Sequence, residues 1–385
     1  MKAYKTLKQR IKDKHINVLL TLSRETNFVF NYVNNLSYEH TRRTGKFFSA
    51  FDIANYTKGC AGKDLGEDKL KLHSQTIQAI SEEYVLRRKQ FKKSKLNWRV
   101  SNKKSSRYSL GWIPFKSSGI QIQHGQIKYG GIWFSIWDSY KIENYKDKIK
   151  SGCFVEDSRG RWYISLVVEV ETKEKIEVTQ ISKDKTIAGD LGFKNFATIT
   201  NGTTHVKIEA TKNYRQLEDK LAIAQRANKK DLVKSIHIKI KNKRKDEQHK
   251  LTSILIKDNQ AIFMGNVSAA SLVESNKKDK NDKNLSKINK KEMNKSAYDA
   301  GFSMFRAMLE YKCNIAGIYY LNIDESYTTQ TCSCCGSRNG PKGSAGLGIR
   351  EWTCACGTSH DRDINAAINI LVRGHAHLAG GIPAL

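Results

Sequence analysis

Four cysteines near the end of the chain constrain its folding more than any other feature. Cys332-x-x-Cys335 is followed by Cys354-x-Cys356, with Trp352 and Gly357 beside the second pair. Two close thiol pairs joined by a short loop offer four soft ligands to a tetrahedral zinc ion. Such a set leaves no open coordination position, so the expected zinc is structural. Two details leave the ligand set open. Cys334 is a spare thiol inside the first pair, and the second pair is one residue tighter than usual, with His360 as an alternative to Cys356. A disulfide framework is the weaker reading. Residues 1–10 are basic, with no apolar run or cleavage site, which points to the cytoplasm or nucleoid, where thiols stay reduced.

The charge balance narrows the partners. The chain has 385 residues, with 67 Lys and Arg against 38 Asp and Glu, a formal net charge of +29. That excess fits a polyanion. No apolar run reaches membrane-spanning length, and no cationic helix shows a broad aromatic face. Candidate nucleic-acid contacts are Arg42, Arg43, Lys92, Lys93, Lys95, Arg99, Lys103, Lys104 and Arg107. A second group includes Lys243 and Arg244. Contacts of this kind track the phosphate backbone, so binding is expected to weaken steeply with salt.

Periodicity predicts a strand over 3–11, then helices over 14–43 and 69–96, together a small helical domain spanning 14–96. Residues 98–170 alternate aromatic and β-branched residues between glycines, as a small barrel would. After a polar linker, residues 186–209 read as three strands with tight turns, one at Asn201-Gly202. Charged helices follow over 213–256, then a buried strand at 261–264. A Lys/Asn/Asp tract, 277–295, reads as a loop. A helix over 297–313 and a strand over 315–323 complete the pattern.

Two acidic residues stand out. Asp190 lies inside an apolar strand between Gly189 and Gly192. A charge there is costly unless it is paired or binds a cation; the alternative is an edge-strand Asp facing water. Asp363 opens a helix carrying Ala366, Ala367 and Leu371, where it serves either chemistry or an N-cap.

These residues resemble a family. Asp190-Leu-Gly-Phe-Lys-Asn-Phe-Ala-Thr is similar to the first RuvC motif of TnpB, the transposon-encoded relatives of type V CRISPR effectors. Phe305-Arg-Ala-Met-Leu-Glu-Tyr-Lys, Tyr327-Thr-Thr-Gln-Thr-Cys-Ser-Cys-Cys-Gly and His360-Asp-Arg-Asp-Ile-Asn-Ala-Ala resemble its later motifs. Ser109-Leu-Gly-Trp-Ile-Pro-Phe-Lys and Asp157-Ser-Arg-Gly-Arg-Trp-Tyr-Ile-Ser resemble upstream segments. The resemblance implies an α+β multidomain chain. A helical recognition domain (14–96) is inserted in a wedge-like β-barrel (1–13 and 97–180). An RNase H-like RuvC nuclease domain (181–325 and 361–385) follows, interrupted by a zinc ribbon (326–360). It also implies a transposon-derived guide RNA pairing with double-stranded target DNA, and Mg²⁺ held by three carboxylates. A separate transposase is an allowed partner, and a monomer is the working expectation.

One departure matters. The resembled family places a catalytic Glu where this chain has Gly265. Glu325, at the end of the next strand, is the expected replacement, because neighbouring strands lie only about 4.8 Å apart. Asp324, which points to the opposite face, and Glu274 are weaker candidates. The active reading is therefore an RNA-guided DNA endonuclease using Asp190, Glu325 and Asp363. The alternatives are a nuclease-dead RNA-guided transcriptional repressor, a DNA transposase and a non-catalytic zinc-ribbon module.

Overall fold

The computed structural model describes residues 2–60, 64–65, 68–69, 71–267, 295–296, 299–342 and 345–380. Most of the 277–295 tract and the candidate Glu274 lie outside these. The chain divides between Val170 and Glu171 into two compact units.

The N-terminal unit opens with strand β1 (Lys2–Arg10) and helix α1 (Ile16–Thr44). Helix α2 (Ala50–Thr57), the hairpin β2 (Asp64–Leu65) and β3 (Asp68–Lys69), and helix α3 (Ser74–Phe91) follow. Leu19, Leu22, Thr26, Phe30 and Val33 are buried along α1 at helical spacing. The buried Arg88 of α3 donates to Ser37 Oγ and to the Phe48 carbonyl, both at 2.8 Å, and so ties α3 to α1 and to the approach of α2. Asparagines of α1 hold the segment after α3. The Asn34 and Asn31 side chains each make a reciprocal pair of hydrogen bonds with the backbone, Asn34 at Leu96 and Asn31 at Arg99.

The strands of this unit do not close. β4 (Trp112–Lys116), β8 (Ile149–Glu156) and β9 (Trp162–Glu171) join β1 in the order β1-β9-β8-β4. β5 (Ile120–Gln123), β6 (Gln126–Tyr129) and β7 (Ile132–Ser135) form a separate antiparallel meander. An Ile11–Ile136 bridge links the end of β1 to the end of β7. β4 and β5, however, are separated by a 3-10 turn at Ser117–Gly119 and do not pair. The expected small barrel is therefore corrected to two open sheets among the described residues. The helices and strands of this unit share one core, from Leu19 and Tyr84 to Phe115, Phe154 and Leu166.

The C-terminal unit is built on a five-stranded sheet. Its strands are β10 (Thr186–Leu191), β11 (Asn195–Thr200), β12 (His205–Glu209), β13 (Ala261–Gly265) and β14 (Tyr319–Ile323). Their order is β12-β11-β10-β13-β14. The first three are antiparallel neighbours, while β10, β13 and β14 run parallel. Parallel strands end on the same edge, which brings Leu191, Gly265 and Ile323 to one side. Helices α4 (Glu218–Arg226) and α5 (Lys230–Leu255) pack together through Leu221, Ala224, Ile236 and Ile240. Leu255 of α5 and Phe302, Phe305 and Leu309 of α6 (Phe302–Ala316) cover the sheet face bearing Ile187, Ile262 and Met264. The opposite face, with Ala188, Ala261 and Phe263, meets Ile370 and Leu371 of α7 (Arg362–Gly380). β15 (Glu351–Thr353) and β16 (Ser359–Asp361) form the short hairpin just before α7.

α7 reaches the sheet through a glycine. A Cβ placed on Gly374 would lie 2.1 Å from the Phe263 ring, so only glycine permits this approach. Gly374→Val is expected to destabilise the C-terminal unit by about 2 kcal/mol or more. Gly348→Ala, where an added Cβ meets nothing within 4 Å, should leave the thermal transition in place. Calorimetry of both variants checks this.

Candidate active site

Strand alternation decides which side chains share a face. Asp190 has the parity of Ala188 on β10, and Gly265 has that of Ala261 and Phe263 on β13. Glu325 continues the parity of Tyr319, Leu321 and Ile323 on β14. All of these positions face α7. Register does the rest. Ala188 pairs with Phe263 and Gly189 with Met264, so Asp190 lies beside Gly265. Gly265 in turn pairs with Ile323, so Glu325 stands two residues beyond it on the adjacent strand.

The Glu325 side chain leans back over that glycine. A Cβ built on Gly265 would lie 2.3 Å from Glu325 Oε2. The carboxylate therefore occupies the space into which any side chain at 265 would project. Oε2 is buried without a hydrogen-bond partner among the described residues. Burial pushes the Glu325 carboxyl up to about 7, opposed by the Val267 amide and the Arg306 charge. Arg306 on α6 donates to the Gly265 carbonyl at 3.2 Å and also to the Val267 carbonyl, holding the end of β13 in place. Asp324 is turned away, accepting from the Ser326 amide and hydroxyl.

The third carboxylate arrives with α7. The N-cap of that helix is Asp361, whose Oδ1 accepts from the Asp363 amide at 3.1 Å and the Ile364 amide at 3.0 Å. Asp363 is thereby spared the capping role that its position had left open. Its Oδ1 lies 3.3 Å from Arg350 Nη1. Burial holds the Asp190 carboxyl well above the usual range, and the charges of Glu325 and Asp363 add to the shift while Arg362 opposes it. The three carboxylates thus interact, although they do not crowd around one point. Among the described residues, only the cysteine set brings three or more candidate ligand atoms within 4.8 Å of one another. A two-ion site, with metals about 3.5–4 Å apart, is wide enough to bridge carboxylates spread in this way.

The thiols do converge. Cys332, Cys335, Cys354 and Cys356 meet in one cluster, while Cys334 is exposed outside it. Sulfur separations are 3.8 Å between Cys332 and Cys356 and 3.6 Å between Cys335 and Cys354. A tetrahedral zinc ion with bonds of about 2.3 Å places its sulfurs about 3.8 Å apart, so the donor set fits that ion. Each pair sits in a tight turn: the Gly336 amide donates to the Cys332 carbonyl and the Gly357 amide to that of Cys354. His360 lies beside the cluster, with Nε2 3.0 Å from Cys332 Sγ.

The basic residues divide. Arg42, Arg43, Lys92, Lys93, Lys104 and Arg107 are exposed on the N-terminal unit. Arg99 is occupied internally, its Nε donating to Asn27 at 2.5 Å and its Nη2 to the Leu110 carbonyl at 2.8 Å. Lys103 pairs with the buried Glu156 at 3.5 Å. On the C-terminal unit Lys243 donates to Gln216 at 2.8 Å, and Arg244 faces Asp299 at 3.9 Å. Asn27, Asn31 and Asn34 escaped the sequence reading. Their spacing along one face of α1 was the available signal.

Comparison with known proteins bears on this arrangement. Residues 302–370 match the family model described as the Cas12f1-like TNB domain. A protein of Streptomyces pristinaespiralis named "Putative RNA-guided DNA endonuclease" is 32% identical over 238 residues, covering 58% of this chain and 53% of that protein. The similarly named InsQ of Escherichia coli (strain K12) is 27% identical over 259 residues, 64% of this chain and 62% of the relative. The chain thus spans between about half and two thirds of the length of these relatives. Its fold is similar to that of the Cas12f1 chain in a cryo-EM complex with sgRNA and target DNA. The TM-score is 0.58 at 14% identity, over 96% of this chain and 99% of that one. Among the described residues no helix is long and apolar enough to cross a membrane.

Two measurements follow. The wild type is expected to purify with zinc, Cys354→Ser to lose most of it and Cys334→Ser to keep it, as read by metal analysis after gel filtration. Glu325 also makes stability depend on pH. Its folded-state value, about 7, lies above its ordinary 4.5, so the folded state holds a proton that the unfolded state has released between those values. The resulting stabilisation is full below the ordinary value and fades as pH rises through the folded one. In Mg²⁺-free buffer the thermal midpoint should therefore fall from pH 5 to pH 8, and Glu325→Gln should flatten that slope.

Proposed function

Starting from a chain that is TnpB-like in sequence and carries a Cas12f1-like TNB domain, we propose that it is an RNA-guided DNA endonuclease. The observation that carries the reading is the Glu325 carboxylate standing over Gly265, on the same sheet edge as Asp190 and beside the N-terminus of α7. Buried acids at a sheet edge destabilise the fold unless something uses them. The strand order, with three antiparallel strands and then two parallel ones, supports an RNase H-like reading of the C-terminal unit. The thiol cluster supports a structural zinc ribbon inserted between β14 and α7. Guide RNA and target DNA enter as partners through the relatives' names and the chain's positive charge.

Asp190, Glu325 and Asp363 would hold Mg²⁺. Bound there, the ions would supply a nucleophilic hydroxide and neutralise charge on the scissile phosphate. The protein's share is positional. β10 presents Asp190 from the strand itself and Glu325 follows two residues after β14, while Asp361 caps α7 so that Asp363 is free to bind. Arg306 orients the strand end under Glu325. Arg350 lies next to Asp363 and can meet a phosphate at the same edge. The exposed cations of the N-terminal unit would follow the phosphates of the guide–target duplex, whose shape they read while base pairing reads sequence.

The test is cleavage of a target plasmid in Mg²⁺ by protein carrying its guide RNA. Asp190→Ala and Glu325→Ala should each lower the rate at least about 100-fold, the equivalent of about 2.7 kcal/mol. Returning the carboxylate to the neighbouring strand should restore activity: Gly265→Glu combined with Glu325→Ala recovers cleavage that Glu325→Ala alone has lost. RNA-dependent target binding without cleavage by the wild type would overturn the nuclease reading and leave a DNA-binding repressor.

A further inference from the structure

The C-terminal unit contains a cavity of about 730 Å³ between the β11–β12 hairpin and α5, separate from the carboxylate edge but adjoining it. Its composition is uneven. Phe193, Phe196 and Leu251 supply apolar walls, and Lys194, Lys212 and Arg350 supply cations at its margin. Two buried acceptors complete it. Gln248 is only 4% exposed and the Asp299 side chain 8%. Gln248 donates from Nε2 to the Ala300 carbonyl at 2.8 Å and, more weakly, to the Gly301 carbonyl at 3.4 Å, while its Oε1 has no hydrogen-bond partner among the described residues. Asp299 takes the Tyr214 amide on Oδ2 at 2.9 Å, while Oδ1 has no hydrogen bond among the described residues and the Arg244 guanidinium stands 3.9 Å from it.

Buried acceptors without donors are destabilising and point to a ligand that brings N–H groups. The walls call for a flat apolar ring, and Phe193 and Phe196 are themselves braced against Phe302 and Phe305. The margin calls for an anion. A nucleotide with an amino-bearing base combines all three: a stacking face, N–H donors and a phosphate. A base locked in a duplex cannot enter a cavity of this kind, so the nucleotide must be unpaired. We propose that this cavity is a binding site for one unpaired nucleotide of a single strand, selective for bases that carry an amino group over thymine. Arg350 joins the two sites, since it lines the cavity and lies 3.3 Å from Asp363. A nucleotide phosphate drawing on Arg350 would loosen its hold on that carboxylate. The inference deepens the nuclease reading by placing an unpaired strand at the carboxylate edge, but it is tested by binding alone.

The experiment uses the full chain with its RNA, in Mg²⁺-free buffer, and labelled oligo-dC and oligo-dT followed by fluorescence anisotropy. Oligo-dC should bind about fivefold more tightly than oligo-dT, the value of one net hydrogen bond. Asp299→Asn, which preserves shape but replaces one acceptor, should shrink that preference towards unity. The double variant Lys194→Glu with Lys212→Glu, both on exposed lysines, should weaken both strands alike and decides the matter if Asp299→Asn does not fold. Equal affinity of the wild type for the two strands would overturn the proposal. So would unchanged binding in the lysine variant, or equal displacement of oligo-dC by an acidic peptide. Loss of plasmid cleavage with the base preference intact would overturn the nuclease reading alone.

Discussion

Bringing three carboxylates to one end of a β-sheet is the constraint around which the C-terminal unit is arranged. Three carboxylates at one edge repel, and two of them lose hydration as the fold closes. The rest of the unit can be read as the apparatus that holds them there. Strands β10 and β14 are both laddered to β13, which fixes their spacing, and Phe263 and Met264 bury its two faces in the cores on either side. α7 is pressed close by Gly374, and its first turn is capped by the neighbouring Asp361. Arg306 and Arg362 supply the nearby positive charge. Each device limits the motion that repulsion would otherwise cause.

The thiol cluster belongs to the same problem. The chain leaves β14 after Ile323 and returns at α7, and between them the two cysteine turns tie a segment too short for a hydrophobic core of its own. The side chain of Asn365 reaches from α7 to the carbonyls of Thr328 and Thr331, and its Oδ1 receives the Ser333 amide. The ribbon is thereby pinned to the helix that carries Asp363. Arg350, at the foot of β15, reaches the carboxylate directly. A metal that fixes the thiols would thus also fix the approach of the third acid, with no part in the chemistry.

Much of this was legible in the sequence because the signals were periodic. The alternation of Trp162, Ile164, Leu166 and Val168 marks β9, and the spacing of the paired cysteines marks the ribbon. The position of Glu325 over Gly265 was legible because parity and parallel strand direction survive without coordinates. Other features had no one-dimensional signature. Whether β4 and β5 pair depends on a turn at Ser117–Gly119, so an open sheet and a barrel read alike. Asp361 and Asp363 are both reasonable caps by composition, and only hydrogen-bond geometry separates them. Arg99 counts as a cation in any tally of charge, yet its guanidinium is consumed by Asn27 and Leu110. Net charge therefore overstates the surface available to a polyanion.

The proposed exchange between positions 265 and 325 follows from sheet geometry, which lets an acid on a neighbouring strand serve the same edge. Side-chain direction in a sheet repeats every two residues, and adjacent parallel strands share both direction and edge. A residue two places beyond the partner of Gly265 therefore keeps the face and exceeds the edge by one repeat. A glutamate is long enough to lean back across that distance, whereas an aspartate at 325 would be one methylene short. The exchange also works in reverse as a restriction. With Glu325 in place, the space above position 265 is taken, and even an alanine methyl would meet the carboxylate. Glycine at 265 leaves room for the Glu325 carboxylate to lie over that position, and a side chain there would make the carboxylate shift.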